Sequence, residues 1–412
     1  MYKIMDKGVC APKGFKANGI HCGIRKNKTK KDLSLIYSDV MCSAASIYTL
    51  NKVKGAPIAI TKKHIADGHA QAILVNSGNA NTCNANGEEI ASKMSQICAN
   101  ATGLKEEDII IASTGVIGQP LPLEPIETHM QELADGLNTN GSYDAVCGIM
   151  TTDTYPKEYA ISFMLDGKEC HIGGIAKGSG MIHPNMATML SFITSDVSIS
   201  PTLLQKLIKE VGDDTFNMIS VDGDTSTNDM LSIMCNGLAE NTTIVEENED
   251  YEIFKKGVYQ VCEALSKMLA ADGEGATKLL TCKVNNAKTL TDAKMVAKSI
   301  ITSSLFKAAM FGNDANWGRI LCAIGYSEAD VDVDKIDVTL SSIKGSLQVC
   351  ENGRGFKSAE NESGLDEEKA LLILKEKEVE ILVDLKDGDY SATAWGCDLT
   401  YDYVKINGDY RT

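Results

Sequence analysis

The sequence has few aromatic residues, few prolines, no long apolar run and no excess of positive charge. Aromatic residues make up 6% of the 412 residues, and the 8 prolines form no Pro-rich linker. Apolar stretches such as residues 109–112 have the length of a strand, whereas a membrane-spanning helix needs about 18 to 20 apolar residues. The formal net charge is −16, and no basic stripe offers a surface for a phosphate backbone. Neither a nucleic acid nor a membrane is therefore predicted as a partner.

A disulfide framework is also lacking. The 13 cysteines are odd in number, and the closest two, Cys10 and Cys22, lie twelve residues apart, so no C-x-x-C pair exists. Most cysteines, for instance Cys98, Cys262 and Cys322, have apolar neighbours and are predicted to be buried as small hydrophobic side chains. Free cysteines of this kind indicate a reducing cytoplasm.

Metal-binding and targeting patterns are absent from the sequence as well. His64 and His69 are five residues apart and do not share a helix face, and no H-E-x-x-H occurs among the six histidines. The basic residues 25–31 (RKNKTKK) are followed by no apolar core, so they are predicted to form a solvated loop and not a signal peptide. The expectation is a cytoplasmic protein without a bound metal.

The remaining composition is that of a globular protein, with 43% apolar and 23% charged residues. Apolar positions that recur every three or four residues predict helices, and short apolar runs predict strands. Asp166-Gly167 predicts a hairpin turn, because this pair supplies the positive φ angles of a two-residue turn. The elements predicted in this part are strands over residues 72–76 and 109–112, helices around 90–101 and 126–137, and a hairpin of 159–165 with 171–176.

The second half of the chain groups its helices and strands in runs. Long helices are predicted over residues 250–271 and 291–310, and after about residue 330 the pattern changes to strands. These elements are strands over residues 336–340, 379–385 and 393–404, with one helix at 367–375. Such runs favour an α+β fold of layered mixed sheets flanked by helices over a regular βαβ winding.

Two segments resemble ligand-binding loops without matching them. Residues 173–180 (GGIAKGSG) follow a strand, but neither phosphate-loop spacing fits, since His183 stands where the third glycine is needed. Residues 222–226 (DGDTS) resemble the start of a calcium loop, yet Thr227 replaces the required glycine and Ile233 the required glutamate. We interpret residues 173–180 as a tight turn at the end of a strand and residues 222–226 as a loop without a metal ion.

Residues 177–190 (KGSGMIHPNMATML) contain a threonine, Thr188, between small and apolar neighbours. A single threonine is usually structural, and as a nucleophile it needs a base. The most economical base is its own α-amine, which exists only if the peptide bond between Ala187 and Thr188 is cut. Composition and spacing alone do not predict that cleavage.

This segment resembles the self-cleavage signature of the ornithine acetyltransferase family, the bifunctional glutamate N-acetyltransferases of arginine biosynthesis. Further blocks resemble the family in the same order and span essentially the whole chain. They are GVCAPKGF at residues 8–15, ASTGVIG at 112–118, MTTDTYP at 150–156, DGDTSTND at 222–229, ADGEGATK at 271–278, GNDANWGRI at 312–320 and INGDYRT at 406–412.

The resemblance implies that the precursor cleaves itself between Ala187 and Thr188. The products are an α chain that ends at Ala187 and a β chain that begins with Thr188 and ends at Thr412. The two chains stay together, with a heterotetramer of two α and two β chains as the family expectation. The fold implied is that of an N-terminal-nucleophile-like self-processing enzyme. Its catalytic domain covers residues 1–280, and a smaller α/β domain at 281–412 returns its C-terminal tail to the active site.

The resemblance also assigns roles to individual residues. Thr188 is the nucleophile, and Thr114 and Gly115 form the oxyanion hole. The implied substrate-binding positions are Thr151, Thr152, Lys177, Thr188, Glu274, Asn407 and Thr412, with one of the two adjacent threonines making the contact. Without the resemblance, the last two of these positions read as frayed chain ends. The alternative reading of Lys177 and Glu274 is a buried salt bridge between them.

The implied reaction moves an acetyl group from N2-acetyl-L-ornithine to L-glutamate in two half-reactions through an acetyl ester on Thr188. Use of acetyl-CoA as a second acetyl donor differs among family members, and no other cofactor is expected. The competing hypothesis is a self-cleaving amidohydrolase or aminopeptidase, in which water resolves the acyl-enzyme. A non-enzymatic binding subunit would instead remain a single chain of 44.3 kDa.

Overall fold

The structure is a computed structural model that describes residues 2–183, 189–355 and 365–408. Ala187, Thr188 and Thr412, to which the sequence assigns cleavage and binding roles, lie outside the described residues. The described strands are, in chain order, β1 (Lys3–Met5), β2 (Phe15–Ile20), β3 (Leu33–Tyr48), β4 (His69–Asn79), β5 (Ile109–Val116), β6 (Lys157–Leu165), β7 (Lys168–Lys177), β8 (Leu190–Ser195), β9 (Ile219–Ser220), β10 (Met230–Cys235), β11 (Leu279–Ala287), β12 (Asp337–Ser342), β13 (Gly345–Glu351), β14 (Arg354–Gly355), β15 (Glu378–Asp384) and β16 (Tyr390–Cys397).

The helices alternate with these strands along the chain. The described α-helices are α1 (Ala56–His64), α2 (Gly87–Thr102), α3 (Glu124–Asp135), α4 (Ser142–Ile149), α5 (Pro201–Asp214), α6 (Glu249–Ala271), α7 (Leu290–Thr302), α8 (Ser304–Phe311), α9 (Trp317–Gly325), α10 (Glu367–Leu374) and α11 (Tyr401–Gly408). None of the helices in the described ranges is both long and apolar enough to cross a membrane.

The described chain divides into two compact units. The first unit contains residues 2–178, 189–217 and 225–265. The second contains residues 179–183, 218–224 and 266–408. The domain boundary after residue 280 stays a prediction.

Nine described strands of the first unit form one mixed sheet, in the order β1-β6-β7-β8-β10-β3-β4-β5, with β2 paired to β3. Successive residues of β4 belong to different apolar clusters, because side chains alternate between the two faces of a strand. Ile73 and Val75 pack in one cluster, with residues of α1 and α4. Ala72 and Leu74 pack in the other, with residues of α2 and α3. The sheet is therefore covered by helices on both faces, and the predicted α+β class with layered mixed sheets is confirmed.

Seven described strands of the second unit form another mixed sheet, in the order β14-β13-β12-β15-β11-β16-β9. Strand β11 pairs in parallel with β15 and antiparallel with β16. Helix α7 lies against β11 and β16 and buries Val296, Ala297 and Ile300 completely. A second apolar core of this kind is expected for a chain of this length.

Several predicted elements are confirmed. The hairpin joins β6 to β7, and Asp166 and Gly167 both have positive φ angles, 49° and 69°. The apolar periodicity around residues 90–101 and 126–137 corresponds to α2 and α3, although α3 ends at Asp135. The predicted helices at 250–271 and 367–375 correspond to α6 and α10.

Three predictions about the second half are wrong in part. The single helix predicted over residues 291–310 is two helices, because Ser303 leaves the helical conformation and its side chain accepts a hydrogen bond from Phe306 N, which caps α8. The strand predicted over residues 393–404 ends at Cys397, and α11 begins at Tyr401. Cys322 is exposed and not buried, since its helix α9 turns this side chain away from the apolar face.

Candidate active site

The end of strand β5 carries Thr114 and Gly115 at an irregularity of the sheet. Strand β5 runs parallel to β4, and the register shifts where Asn79 pairs with both Thr114 and Val116. Gly115 has a φ angle of +133°, and a Cβ atom at this position would lie 2.4 Å from the carbonyl carbon of Gly78. Only glycine fits this backbone. Because a bulge redirects the chain where regular pairing ends, the backbone N–H and side chain of this segment can point at a ligand.

Lys177 ends strand β7 and reaches the same place in the first unit. Its Nζ donates a hydrogen bond to Thr114 Oγ1 at 3.2 Å, and the residue is 8% exposed. Burial lowers the pKa of Lys177, while the nearby Asp153 carboxylate opposes that effect. The structure therefore brings together two residues that the sequence predicts as site residues and that lie 63 positions apart.

Asp153 holds the chain around the predicted substrate-binding threonines. It is 5% exposed and accepts hydrogen bonds from Lys157 Nζ at 2.6 Å, Gly178 N at 2.7 Å and Thr151 N at 2.9 Å. Burial alone would raise its pKa, but the charges of Lys157 and Lys177 together with these bonds lower it to about 2. Asp153 thus fixes the backbone of Thr151 and the end of β7. The adjacent Thr152 is half-buried.

Replacing Asp153 with asparagine is expected to destabilise the protein strongly. Lys157 is fully buried, and the substitution removes the carboxylate that pairs with its ammonium group at 2.6 Å, which costs about 3–5 kcal/mol for a broken buried pair. The contribution of the Asp153 carboxylate to the free energy of unfolding is fully present above its ordinary pKa of 3.8. It is lost as the pH falls towards 2, because the pKa of this group is lower in the folded than in the unfolded protein. Denaturant unfolding at pH 7 and at steps between pH 4 and 2 measures both effects.

The matched control is Asp144→Asn, which breaks an ion pair between Asp144 and Lys31 whose side chains are 44% and 33% exposed. This variant should change the free energy of unfolding by less than about 1 kcal/mol. Equal losses in the two variants, or an Asp153→Asn defect that stays constant down to pH 2, would contradict the assignment.

Asp229 is a buried acid to which no sequence motif assigns a role. It is 2% exposed, and its Oδ2 has no hydrogen-bond partner among the described residues. Burial raises its pKa well above the ordinary value, partly offset by Ser226 and by the charge of Lys177. The following residue, Met230, donates its N–H to Met189 O at 2.9 Å, so Asp229 lies beside the start of the segment that follows Thr188.

Glu274 and Asn407 meet in the second unit. Asn407 lies on α11, and its Nδ2 donates to Glu274 Oε2 at 2.7 Å. Glu274 is 6% exposed, and its N–H donates to Ser179 O. Gly180 makes room for this carboxylate, since a Cβ there would lie 2.4 Å from the carboxyl carbon. Asn407 is therefore anchored, unlike the frayed end that its sequence position alone suggests.

The glycine-rich residues 173–180 also have a packing explanation. Gly173 lies inside β7 where a Cβ would approach Gly8 O to 1.8 Å, and Gly174 faces Ile193 and Leu265. These glycines permit close packing in the sheet, which accounts for them without a phosphate ligand. Over residues 2–183, 189–355 and 365–408, no group of three or more His, Cys, Asp or Glu residues could hold a metal ion.

The sequence gives only weak indications that Asp153 and Asp229 belong to the site. Asp153 and Lys157 stand four residues apart with opposite charges, yet such a pair usually lies on a solvated surface. Asp229 is the third aspartate of its block after Asp222 and Asp224, and nothing in the sequence separates it from them.

Comparison with known proteins adds a family match over nearly the whole chain. A model of the ArgJ family matches residues 16–412. The chain is 49% identical over 411 residues to the arginine biosynthesis bifunctional protein ArgJ of Caldanaerobacter subterraneus subsp. tengcongensis, and the match covers 100% of both chains. It is 50% identical over 399 residues to ArgJ 1 of Clostridium acetobutylicum, covering 97% of this chain and 96% of that protein.

A solved structure is similar to part of the chain. The crystal structure of the arginine biosynthesis bifunctional protein ArgJ from Bacillus halodurans is 46% identical, with a TM-score of 0.50. The match covers 54% of this chain and 100% of the crystallised chain.

Proposed function

The chain belongs to the ArgJ family, and from this premise we propose that it is an acetyltransferase of arginine biosynthesis. The acetyl group moves from N2-acetyl-L-ornithine to L-glutamate, so the enzyme is a glutamate N-acetyltransferase. The observation that carries the proposal is the match over the full chain to relatives named for a bifunctional role in arginine biosynthesis.

The enzyme becomes active by cleaving itself between Ala187 and Thr188. The extent of the crystallised relative supports this step, because its whole chain corresponds to 54% of the present one. A β chain that runs from Thr188 to Thr412 is likewise slightly more than half of the sequence. Cleavage frees the α-amine that Thr188 needs as its base.

The first half-reaction forms an acetyl ester on Thr188. The Thr188 hydroxyl oxygen attacks the acetyl carbonyl carbon, and the C–N bond to ornithine breaks after a tetrahedral oxyanion has formed. Lys177 donates to Thr114 Oγ1, which leaves the Thr114 hydroxyl proton free to bind that oxyanion together with the N–H of Gly115. A preorganised donor of this kind is worth about 10²–10³ in rate.

The α-amine of Thr188 moves the protons. It accepts the hydroxyl proton during attack and returns it to the departing ornithine amine. In the second half-reaction the glutamate α-amine attacks the ester, and the Thr188 hydroxyl is restored when acetylglutamate leaves. The two substrates therefore react in turn, which is a ping-pong scheme.

The remaining site residues bind the two amino acids. Lys177 offers positive charge to a substrate carboxylate, and the Thr151–Thr152 segment lies on the chain that Asp153 fixes. Glu274 receives the substrate ammonium, with Asn407 and the C-terminal Thr412 as further binding residues. Each charged end of an amino acid is thereby assigned a residue of opposite charge.

We extend the proposal to the assembly of the chains, their location and a second acetyl donor. The two chains assemble as a heterotetramer of two α and two β chains in the cytoplasm. Acetyl-CoA serves as a second acetyl donor to glutamate, in keeping with the bifunctional relatives, and no other cofactor takes part.

An assay of product identity tests the proposed function. The purified protein is incubated with N-acetylornithine labelled in the acetyl group, with and without glutamate. The expected result is labelled acetylglutamate that appears only with glutamate and accounts for the released ornithine. Labelled free acetate as the main product would identify an amidohydrolase instead, and parallel runs with labelled acetyl-CoA test the second donor.

A further inference from the structure

Residues 179–183, which precede the proposed cleavage site, are held within the second unit by hydrogen bonds of their backbone and of the Ser179 side chain. Ser179 Oγ donates to Asp272 O at 2.6 Å, and Val221 N donates to Ile182 O at 2.6 Å. The side chain of Ile182 is 2% exposed. Residues 179–183 therefore follow a defined path although they contain no helix or strand.

Asp222 supplies the most specific of these contacts. Its Oδ2 accepts the N–H of Met181 at 2.6 Å, and its Oδ1 accepts the N–H of Ile182 at 2.9 Å. Asp222 is the first residue of the segment that resembles a calcium loop. In the structure both of its carboxylate oxygens bind backbone N–H groups, and hydrogen bonds to an ionised acceptor are stronger than neutral ones.

The residue held by Asp222 has an unusual conformation. Met181 has a φ angle of +57°, in the left-handed region that side chains other than glycine rarely adopt. It is 44% exposed, so apolar burial does not account for this conformation. Such a backbone persists only where the surroundings impose it, and strained positions of this kind concentrate at functional sites.

The same carboxylate reaches the C-terminal helix. The Tyr403 hydroxyl donates to Asp222 Oδ2 at 3.3 Å, and α11 also carries Asn407, which donates to Glu274. Asp222 thus joins the segment before the cleavage site to the helix that bears a predicted substrate-binding residue.

We propose that Asp222 is a positioning residue for self-cleavage, which holds the chain before the scissile bond through the N–H groups of Met181 and Ile182. This inference rests on the proposed self-cleavage between Ala187 and Thr188. Thr188 lies five residues after His183, the last described residue before the scissile bond, and His183 Nδ1 is 3.1 Å from Ser220 Oγ. Holding Met181 and Ile182 fixes the point from which the chain runs on towards the scissile bond.

Position matters because of the chemistry of the step. The Thr188 hydroxyl oxygen attacks the Ala187 carbonyl carbon, the C–N bond breaks, and the hydroxyl proton ends on the departing nitrogen. Water then hydrolyses the ester to an Ala187 carboxylate and a free Thr188 hydroxyl. Attack requires the reacting atoms to approach within about 3–3.5 Å, so a loosened segment lowers the rate without removing any reacting group.

The test compares cleavage rates of freshly translated full-length chains. Wild type, Asp222→Asn and Asp224→Asn are made by cell-free translation, and the fraction cleaved is followed by gel and intact mass. Asp222→Asn should cleave at least about tenfold more slowly than wild type, because it replaces an ionised acceptor by a neutral one. Asp224→Asn removes the same charge from an exposed side chain two residues further along the chain. This variant should cleave at the wild-type rate.

A double variant separates positioning from general stability. Glycine adopts a positive φ freely, so Met181→Gly removes the backbone strain that the hydrogen bonds to Asp222 otherwise offset. The Asp222→Asn defect should therefore be smaller in a Met181→Gly background, whereas a loss of stability alone would slow both backgrounds equally. Circular dichroism checks that each chain is folded, and Asp222→Glu, which shifts the carboxylate by one methylene, replaces Asp222→Asn if that variant does not fold.

Wild-type cleavage with an equally fast Asp222→Asn or Asp222→Glu variant would overturn this inference and leave the proposed function standing. A wild-type chain that stays intact would overturn the proposed self-cleavage itself. The two failures are therefore distinguishable in one experiment.

Discussion

Thr188→Ala is expected to remain a single chain of 44.3 kDa and to lose acetyl transfer completely. The substitution removes the hydroxyl that attacks both the Ala187 carbonyl and the acetyl group, and without cleavage the α-amine that acts as base is never released. Intact-mass measurement of the purified variant and an acetylglutamate assay with N-acetylornithine as donor check both losses.

Thr188→Ser is the matched control, because it keeps the hydroxyl and removes only a methyl group. This variant should still yield two chains and retain measurable transfer. Acetyl transfer by Thr188→Ala at more than a trace of the wild-type rate would contradict the role of Thr188, as would cleavage of that variant at the same bond.

Gly115→Ala is expected to reduce kcat/KM for acetyl transfer at least about a hundredfold, the scale of a lost oxyanion donor. The new Cβ would lie 2.4 Å from the Gly78 carbonyl carbon and 2.5 Å from Asn79 N, and the φ angle of +133° is itself unfavourable for alanine. The bulge must therefore shift, and with it the N–H of Gly115 and the hydroxyl of Thr114. Steady-state kinetics on the folded variant measure this loss.

Gly118→Ala provides the control within the same sequence block. Gly118 also has a positive φ angle, +77°, but no atom of the described residues lies within 4 Å of a Cβ built there. It therefore imposes a similar backbone penalty without displacing the bulge and should keep kcat/KM within about tenfold of wild type. Equal losses in the two variants would show that backbone strain, and not the geometry of the oxyanion donors, explains the Gly115 effect.

Short-range sequence patterns predict the helices and turns that are determined by residues close together in the chain. Asp166-Gly167 determines its hairpin because both residues adopt positive φ angles, and the periodic apolar residues of α2 face a buried cluster. The break at Ser303 cannot be predicted from the sequence, because a capping serine inside an apolar helical pattern is recognisable only once the chain turns there. The end of β16 at Cys397 is likewise hidden, because apolar and aromatic residues continue into α11.

The candidate site depends on contacts that the sequence does not display. The hydrogen bond between Lys177 and Thr114 joins the ends of two strands, and the bulge at Gly115 arises from a register shift against β4. Asp153 acts on Gly178, 25 positions away. Chain topology creates these contacts, and periodicity carries no information about it. The residue types at Thr114, Gly115 and Lys177 could be named because they stand in motifs that resemble a family.

The most direct test of the acetyl-threonine mechanism is the intact mass of the β chain after incubation with N-acetylornithine alone. We expect a chain that begins at Thr188, ends at Thr412 and gains the mass of one acetyl group, located on Thr188 by fragmentation. Addition of glutamate should remove that mass and release acetylglutamate. An uncleaved protein, or a β chain that transfers acetyl groups without carrying one on Thr188, would contradict the acetyl-threonine mechanism.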